Sequence, residues 1–242
     1  MSNESVFFLQ VFVSLAAVLV AARLGYVWVI GLLSAMLVLM NLFVLEQMDL
    51  FGLSVTGGNV LYAAVFLSTD VLAEHWGKRA AFRAVRIGFG VSLFFIAMSI
   101  LFLLYQPNAY DTEMGAAEAL KTLLTPQKQI VAASMFTYLV VQHLDVALFE
   151  WLRRLTKGKH LWLRNNGSTL ISQATDTVLF TVLAFWGMGF PILNMILFTY
   201  AIKVGVAALD TPFIYLSKTA WLRPRDGSSP IERVVGRGDD IS

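Results

Sequence analysis

Seven long apolar stretches leave this chain few folds to choose from. They cover approximately residues 6–22, 26–45, 60–72, 87–104, 130–152, 169–186 and 192–216. A helix needs about 20 apolar residues to cross the hydrocarbon of a bilayer, and there only helices and closed barrels satisfy their own backbone. The runs are continuously apolar rather than alternating with period two, so barrel strands are a poor alternative. The third run is short, and taking in Gly57, Gly58 and Asn59 extends it to about residues 56–74. The expectation is an all-α polytopic membrane protein of about seven transmembrane helices. Composition agrees: 57% of residues are hydrophobic and 14% charged, whereas a soluble domain carries about a quarter charged.

The connecting segments set an orientation. Short cytoplasmic loops carry the Lys and Arg excess. Lys78, Arg79, Arg83 and Arg86 fall between runs three and four; Arg153, Arg154, Lys157, Lys159 and Arg164 between five and six; Lys218, Arg223 and Arg225 after seven. The alternate connections hold Glu46 and Asp49, then Asp111, Glu113 and Glu118 with Lys121 and Lys128, then the uncharged stretch 187–191. This alternation places the amino terminus outside and the carboxyl terminus inside. Glu4, with no Lys or Arg among the first five residues, reads as the start of a retained helix rather than of a cleaved signal peptide. One transmembrane domain over 1–220 and a polar, turn-rich cytoplasmic tail over 221–242 are expected. A net charge of +2 gives no basic face for nucleic acid. The absence of cysteine removes thiolate metal sites and thiol nucleophiles.

Charge inside the membrane is the informative feature. A charged side chain near the bilayer centre costs roughly 2.5–3.5 kcal/mol and normally faces the bundle interior. Asp70, Asp145, Asp176, Lys203 and Asp210 are placed there, with Glu74 and Glu150 near the inner interface. Asp70 and Glu74 share a helical face, as do Gln142 and Asp145; Thr169, Ser172, Gln173 and Asp176 form a third stripe, and Tyr200, Lys203 and Asp210 a fourth. Individually these have plain readings. Ser172 and Thr177 can bond backbone, Glu74 can meet Lys78 and Arg79 at the interface, and Lys203 can be half of a buried ion pair. Lys203 lies about 10 Å along its own helix from Asp210, so its partner must come from another segment, and Asp176 is at matching depth. His143 alone is a poor metal ligand, and no metal or cofactor is expected. Together the charges suit a ligand or ion pathway.

Three stretches resemble a known family. Residues 68–80 read Ser-Thr-Asp-Val-Leu-Ala-Glu-His-Trp-Gly-Lys-Arg-Ala; residues 142–146, Gln-His-Leu-Asp-Val, precede Arg153-Arg154; and residues 161–173, Leu-Trp-Leu-Arg-Asn-Asn-Gly-Ser-Thr-Leu-Ile-Ser-Gln, run on to Asp176-Thr177 and Phe180. Weaker matches are Ala201-Ile202-Lys203-Val204 and Thr211-Pro212. The chain resembles the queuosine-precursor transporters of the YhhQ type, the vitamin uptake transporter family, over residues 26–216. The resemblance implies a six-helix core like the substrate-binding subunits of energy-coupling-factor transporters, with residues 6–22 as an extra helix. It implies uptake of 7-deazaguanine bases such as 7-cyano-7-deazaguanine across the cytoplasmic (inner) membrane. Asp70, Asp145, Asp176 and Lys203 carry over as pathway or binding groups. Gln142, Ser172 and Gln173 complete the candidate substrate site, since a guanine-like edge needs a carboxylate for its N–H groups and a donor for its carbonyl. The partners are the bilayer and a nucleobase-like solute; an energising subunit or a homo-oligomer is left open.

A retinal protein is the main rival, because seven helices and one Lys in the last suit a Schiff base at Lys203. Against it, no Arg and aromatic cluster precedes an Asp in run three, and Asp210 follows Lys203. Transport of another small solute is the second alternative. An intramembrane hydrolase lacks any His-Glu-x-x-His or Gly-x-Ser-x-Gly motif, and no phosphate-binding loop for ATP is present.

Overall fold

The computed structural model describes residues 2–44, 46–106, 108, 115–124, 128–187, 189, 192–207 and 209–219. Nine helices and one hairpin run in the order α1 (Asn3–Leu24), α2 (Tyr26–Phe43), β1 (Gln47–Leu50), β2 (Leu53–Thr56), α3 (Asn59–Trp76), α4 (Lys78–Phe102), α5 (Ala116–Leu124), α6 (Lys128–Leu155), α7 (Leu161–Phe185), α8 (Ile192–Ala207) and α9 (Thr211–Leu216) among the described residues. Six stretches are long and apolar enough to cross a membrane: α1, α2, α4, most of α6, α7, and Ile192–Leu216, which holds α8 and α9. The protein is therefore a polytopic α-helical membrane protein.

The remaining long helix, α3, has 18 residues but carries Asn59, Asp70, Glu74 and His75. Its position explains that composition. It packs against α1, α2, α4, α6, α8 and α9, and nearly every side chain from Asn59 to Ala73 is buried. A helix sheathed by protein needs no lipid-facing apolar surface, so it can hold polar groups that an outer helix cannot. Lipid-facing positions are filled by Val13, Val27, Phe94, Leu101 and Leu193, all exposed. Exposed Trp28, Trp151 and Trp162 ring one end of the bundle, and Tyr105 and Trp186 lie at the other. These are the interface levels that amphipathic rings favour.

Two one-residue connections fold consecutive helices back to back. Gly25 (φ 124°) joins α1 to α2 and Gly77 (φ 81°) joins α3 to α4. Such positive φ values are costly for any side chain with a Cβ. Phe51 and Gly52, both at positive φ, close the hairpin, as a two-residue turn of type I′ requires. The hairpin pairs Gln47 with Thr56 and Leu50 with Leu53.

Several expectations are corrected. Strands do occur, as one short hairpin in a connection rather than as spans. Thr56 belongs to β2, and α3 starts at Asn59 rather than Thr56. Lys78, Arg79, Arg83 and Arg86 lie in the first turns of α4, not in a loop, because Gly77 alone makes the turn. Arg164 lies inside α7, which begins eight residues before the apolar run suggested. The last span is interrupted, with α8 ending at Ala207 and Asp210 capping α9 ahead of Pro212. Asp111, Glu113 and the tail 221–242 lie outside the described residues.

Candidate functional site

Interior polar groups fall into three levels along the bundle axis. At the hairpin end, an open cleft is walled by the C-terminal half of α2, the start of α3, the middle of α4, the N-terminal half of α6 and the C-terminal half of α7. Tyr62 and Phe66, one turn apart on α3, stack at 6.4 Å between ring centroids. Phe180 and Tyr138 add further aromatic surface, while Asn41, Gln142 and Asp176 supply the polar groups. Tyr138 is held by a 3.3 Å bond from its hydroxyl to the Val85 carbonyl. The Gln142 carbonyl oxygen accepts from Thr69 at 3.4 Å.

Behind this cleft, Lys203 of α8 donates to Asp176 Oδ2 of α7, and both side chains are almost fully buried. The Lys203 ammonium also sits 3.8 Å from the centre of the Tyr62 ring, a favourable cation–π placement. The expected Lys203–Asp176 pair is therefore present, and α3 contributes a third member that the sequence did not signal. A lysine held in an ion pair also gives no reason to read it as a Schiff base.

The middle level is acidic. Asp70 of α3 and Asp145 of α6 lie close together, with Asp210 nearby, and all three are buried. Asn165 Nδ2 donates to Asp210 Oδ1 at 2.7 Å. Ser168 and Ser172 of α7 flank Asp145.

The third level, at the opposite end from the cleft, is an ion-pair cluster. Glu74 binds Arg164 at 3.1 Å and also Lys218. The Arg164 guanidinium is 1% exposed and lies 5.4 Å from the centre of the Phe149 ring. Glu74 thus meets residues 90 and more positions away, not the adjacent Lys78 and Arg79. His143 stacks on Phe82 at 5.2 Å and its Nδ1 lies 2.8 Å from the Leu139 carbonyl, an ordinary packed position.

All seven candidate residues are buried, at two of these levels. Gln142 and Asp176 line the cleft, and Lys203 stands behind Asp176. Ser172 and Gln173 lie on the next turn of α7, with Ser172 facing Asp145 and Gln173 Oε1 without a partner among the described residues. Asp70 and Asp145 sit deeper and do not line the cleft. Tyr62, Phe66, Tyr138 and Asn41 had no signal in sequence, because an aromatic or amide inside an apolar run reads as packing.

An amphiphilic cleft continuing into a file of buried polar groups, inside a bundle of membrane helices, is the build of a solute transporter. The family model described as "Putative vitamin uptake transporter" matches residues 56–217, and the chain belongs to that family. A Bacillus subtilis (strain 168) relative named "Probable queuosine precursor transporter" is 36% identical over 184 residues, 74% of this chain and 78% of the relative. An Escherichia coli (strain K12) relative named "Queuosine precursor transporter" is 27% identical over 146 residues, 60% and 62% of the two chains. No solved structure matches. The protein is a multi-pass membrane transporter, not an enzyme.

Proposed function

We propose that the protein imports queuosine precursors, 7-deazaguanine bases such as 7-cyano-7-deazaguanine, and that the cleft receives them. The observation carrying this reading is the pairing of stacked aromatic rings with amide and carboxylate groups in one slot. A deazaguanine presents a flat π-face, adjacent N–H donors and a carbonyl. Tyr62, Phe66 and Phe180 offer stacking surface, Asp176 an acceptor, and Asn41 and Gln142 both donors and acceptors. Lys203 fixes Asp176 through Oδ2. Ser172 and Gln173 line the solute's onward path. The names of the two relatives support the same solute class.

The same reading includes a topology. Counting α3 as a seventh crossing brings Arg23, Lys78, Arg79, Arg153, Arg154, Lys157 and Lys218 to one end, and Glu4, Glu46, Asp49 and Glu118 to the other. The positive-inside rule then places the amino terminus and the cleft outside. Helices α2–α4 and α6–α8 make a six-helix core of the energy-coupling-factor kind, with α1 added, in one transmembrane domain.

The test is uptake of labelled 7-deazaguanine bases by cells unable to make them and expressing this chain. Uptake suppressed by unlabelled base is expected, and lost at least tenfold with Asp176→Ala. Equal accumulation in cells lacking the protein would remove the assignment.

A further inference from the structure

We propose that Asp70, Asp145 and Asp210 form a proton-binding site, separate from the solute cleft, through which transport is coupled to a proton gradient. The inference rests on the transport reading above and adds its energy source.

Three carboxyl groups are brought together in the bundle interior from three places in the chain: α3, α6 and the break between α8 and α9. Each is buried. Asp210 Oδ1 takes the Asn165 amide, Asp145 is approached by the Ser168 and Ser172 hydroxyls and by Asp70, and among the described residues no positive charge meets any of the six oxygens. Ser172 Oγ is buried beside Asp145 and is the neutral hydroxyl nearest to it in effect. Among the described residues no Lys or Arg pairs with any of the three. The basic side chains at the neighbouring levels are committed elsewhere: Lys203 to Asp176, Arg164 and Lys218 to Glu74, and Arg153 to the Ala73 carbonyl and Glu150.

Groups facing the trio cannot compensate it. On α3 the neighbour is Glu74, one turn away and itself acidic. From α7 come Asn165, Ser168 and Ser172, which are neutral. Among the described residues, α1, α2 and α4 contribute no charge acting on Asp70. Three carboxyl groups with no cation among them repel one another in a low-dielectric interior, and a proton bound between them relieves that repulsion. No group of three His, Asp or Glu side chains among the described residues is arranged to hold a metal ion. A proton is a cation that such a cluster can bind, since it needs only a carboxyl oxygen.

The position suits coupling. Gln142, at the cleft, and Asp145 lie one turn apart on α6, as do Asp176 and Ser172 on α7. A polar file therefore leads from the cleft to the trio, and Glu74 continues it on the far side. A proton entering from the cleft side binds one carboxylate of the trio and leaves toward the opposite end. No bond other than O–H forms or breaks, and no ATP-hydrolysing subunit is needed.

The experiment has two arms on the full-length protein in lipid vesicles. In the first, infrared spectra without any solute are compared for wild type and the triple variant Asp70→Asn, Asp145→Asn, Asp210→Asn. A carboxylic-acid C=O band, shifting in D₂O, is expected at neutral pH in the wild type and not in the variant. Its absence from the wild type overturns the site, whatever solute the protein carries. In the second, uptake of labelled 7-deazaguanine is measured with and without an imposed pH gradient, acid outside. The ratio of the two is expected to exceed fivefold in the wild type and to fall to about one in Asp210→Asn. A wild-type ratio of one with measurable uptake, a ratio unchanged in Asp210→Asn, or drive by a sodium gradient at equal pH overturns proton coupling. Failure to carry any deazaguanine counts against the solute reading, and the infrared arm still decides the site.

Discussion

Lys203 illustrates how a charge survives in this bundle. Its ammonium is shared between the Asp176 carboxylate and the face of Tyr62, so its charge is met inside the bundle. Removing one member of a buried pair costs about 3–5 kcal/mol, because the survivor stays buried and uncompensated. Lys203→Ala is therefore expected to lower the melting temperature in detergent sharply, and Lys203→Met with Asp176→Asn to recover most of it. A single variant as stable as wild type would show that Asp176 is not a buried charge needing this partner. The depth of the pair was legible in sequence, since each residue lies mid-run on its own segment. Arg164 was not legible. A basic residue just before an apolar run reads as a loop cation until a carboxylate is known to wait beside it, and that carboxylate, Glu74, is far away in sequence. Arg164→Leu is expected to be destabilising for the same reason, whereas the exposed Arg154, paired with Glu150 of its own helix, should tolerate replacement within about 0.5 kcal/mol.

Among the elements, the hairpin couples α1 to α3. Asn3 donates to the Asp49 carbonyl at 3.1 Å, and a Glu4 carboxylate oxygen accepts from the Phe51 amide at 3.2 Å. The chain then enters α3 through Gly57, where an added Cβ would stand 2.7 Å from the Phe43 carbonyl oxygen. That neighbour is backbone and has little freedom to give way, so Gly57→Ala should cost about 1–3 kcal/mol through forced displacement. Gly90 of α4, with nothing near its would-be Cβ, is the control. Melting of the two variants should separate clearly; equal melting would mean that the α2–hairpin–α3 junction yields easily. Apolar run length gave helix existence, but not this junction. Four-residue strands in a short connection have no long apolar run of their own to read, and helix ends here are set by Gly25, Gly77 and Pro212 rather than by where hydropathy falls away.

For the whole molecule, the arrangement depends on α3 crossing with the other helices. Its hydropathy is lower than theirs, yet its surroundings account for that: it is enclosed by six helices and spans about 27 Å at 1.5 Å per residue, close to the hydrocarbon thickness. If α3 crosses, each later element is inverted relative to a six-crossing chain, which makes its insertion measurable at a distance. Reporter fusions after residue 157 are expected to read cytoplasmic and fusions at residue 118 in α5 external, since the first follows Arg153 and Arg154 and the second lies on the hairpin side. Deleting α3 alone should reverse both. Shifting the bias instead, by Arg153→Glu, Arg154→Glu and Lys157→Glu together, should weaken the cytoplasmic signal at residue 157 without moving the one at 118, because the strong basic cluster at Lys78–Arg86 still orients the preceding half. An external reading at 157 in the unmodified chain would mean that α3 does not cross. The cleft and the Glu74 cluster would then have to be reassigned to opposite faces of the membrane.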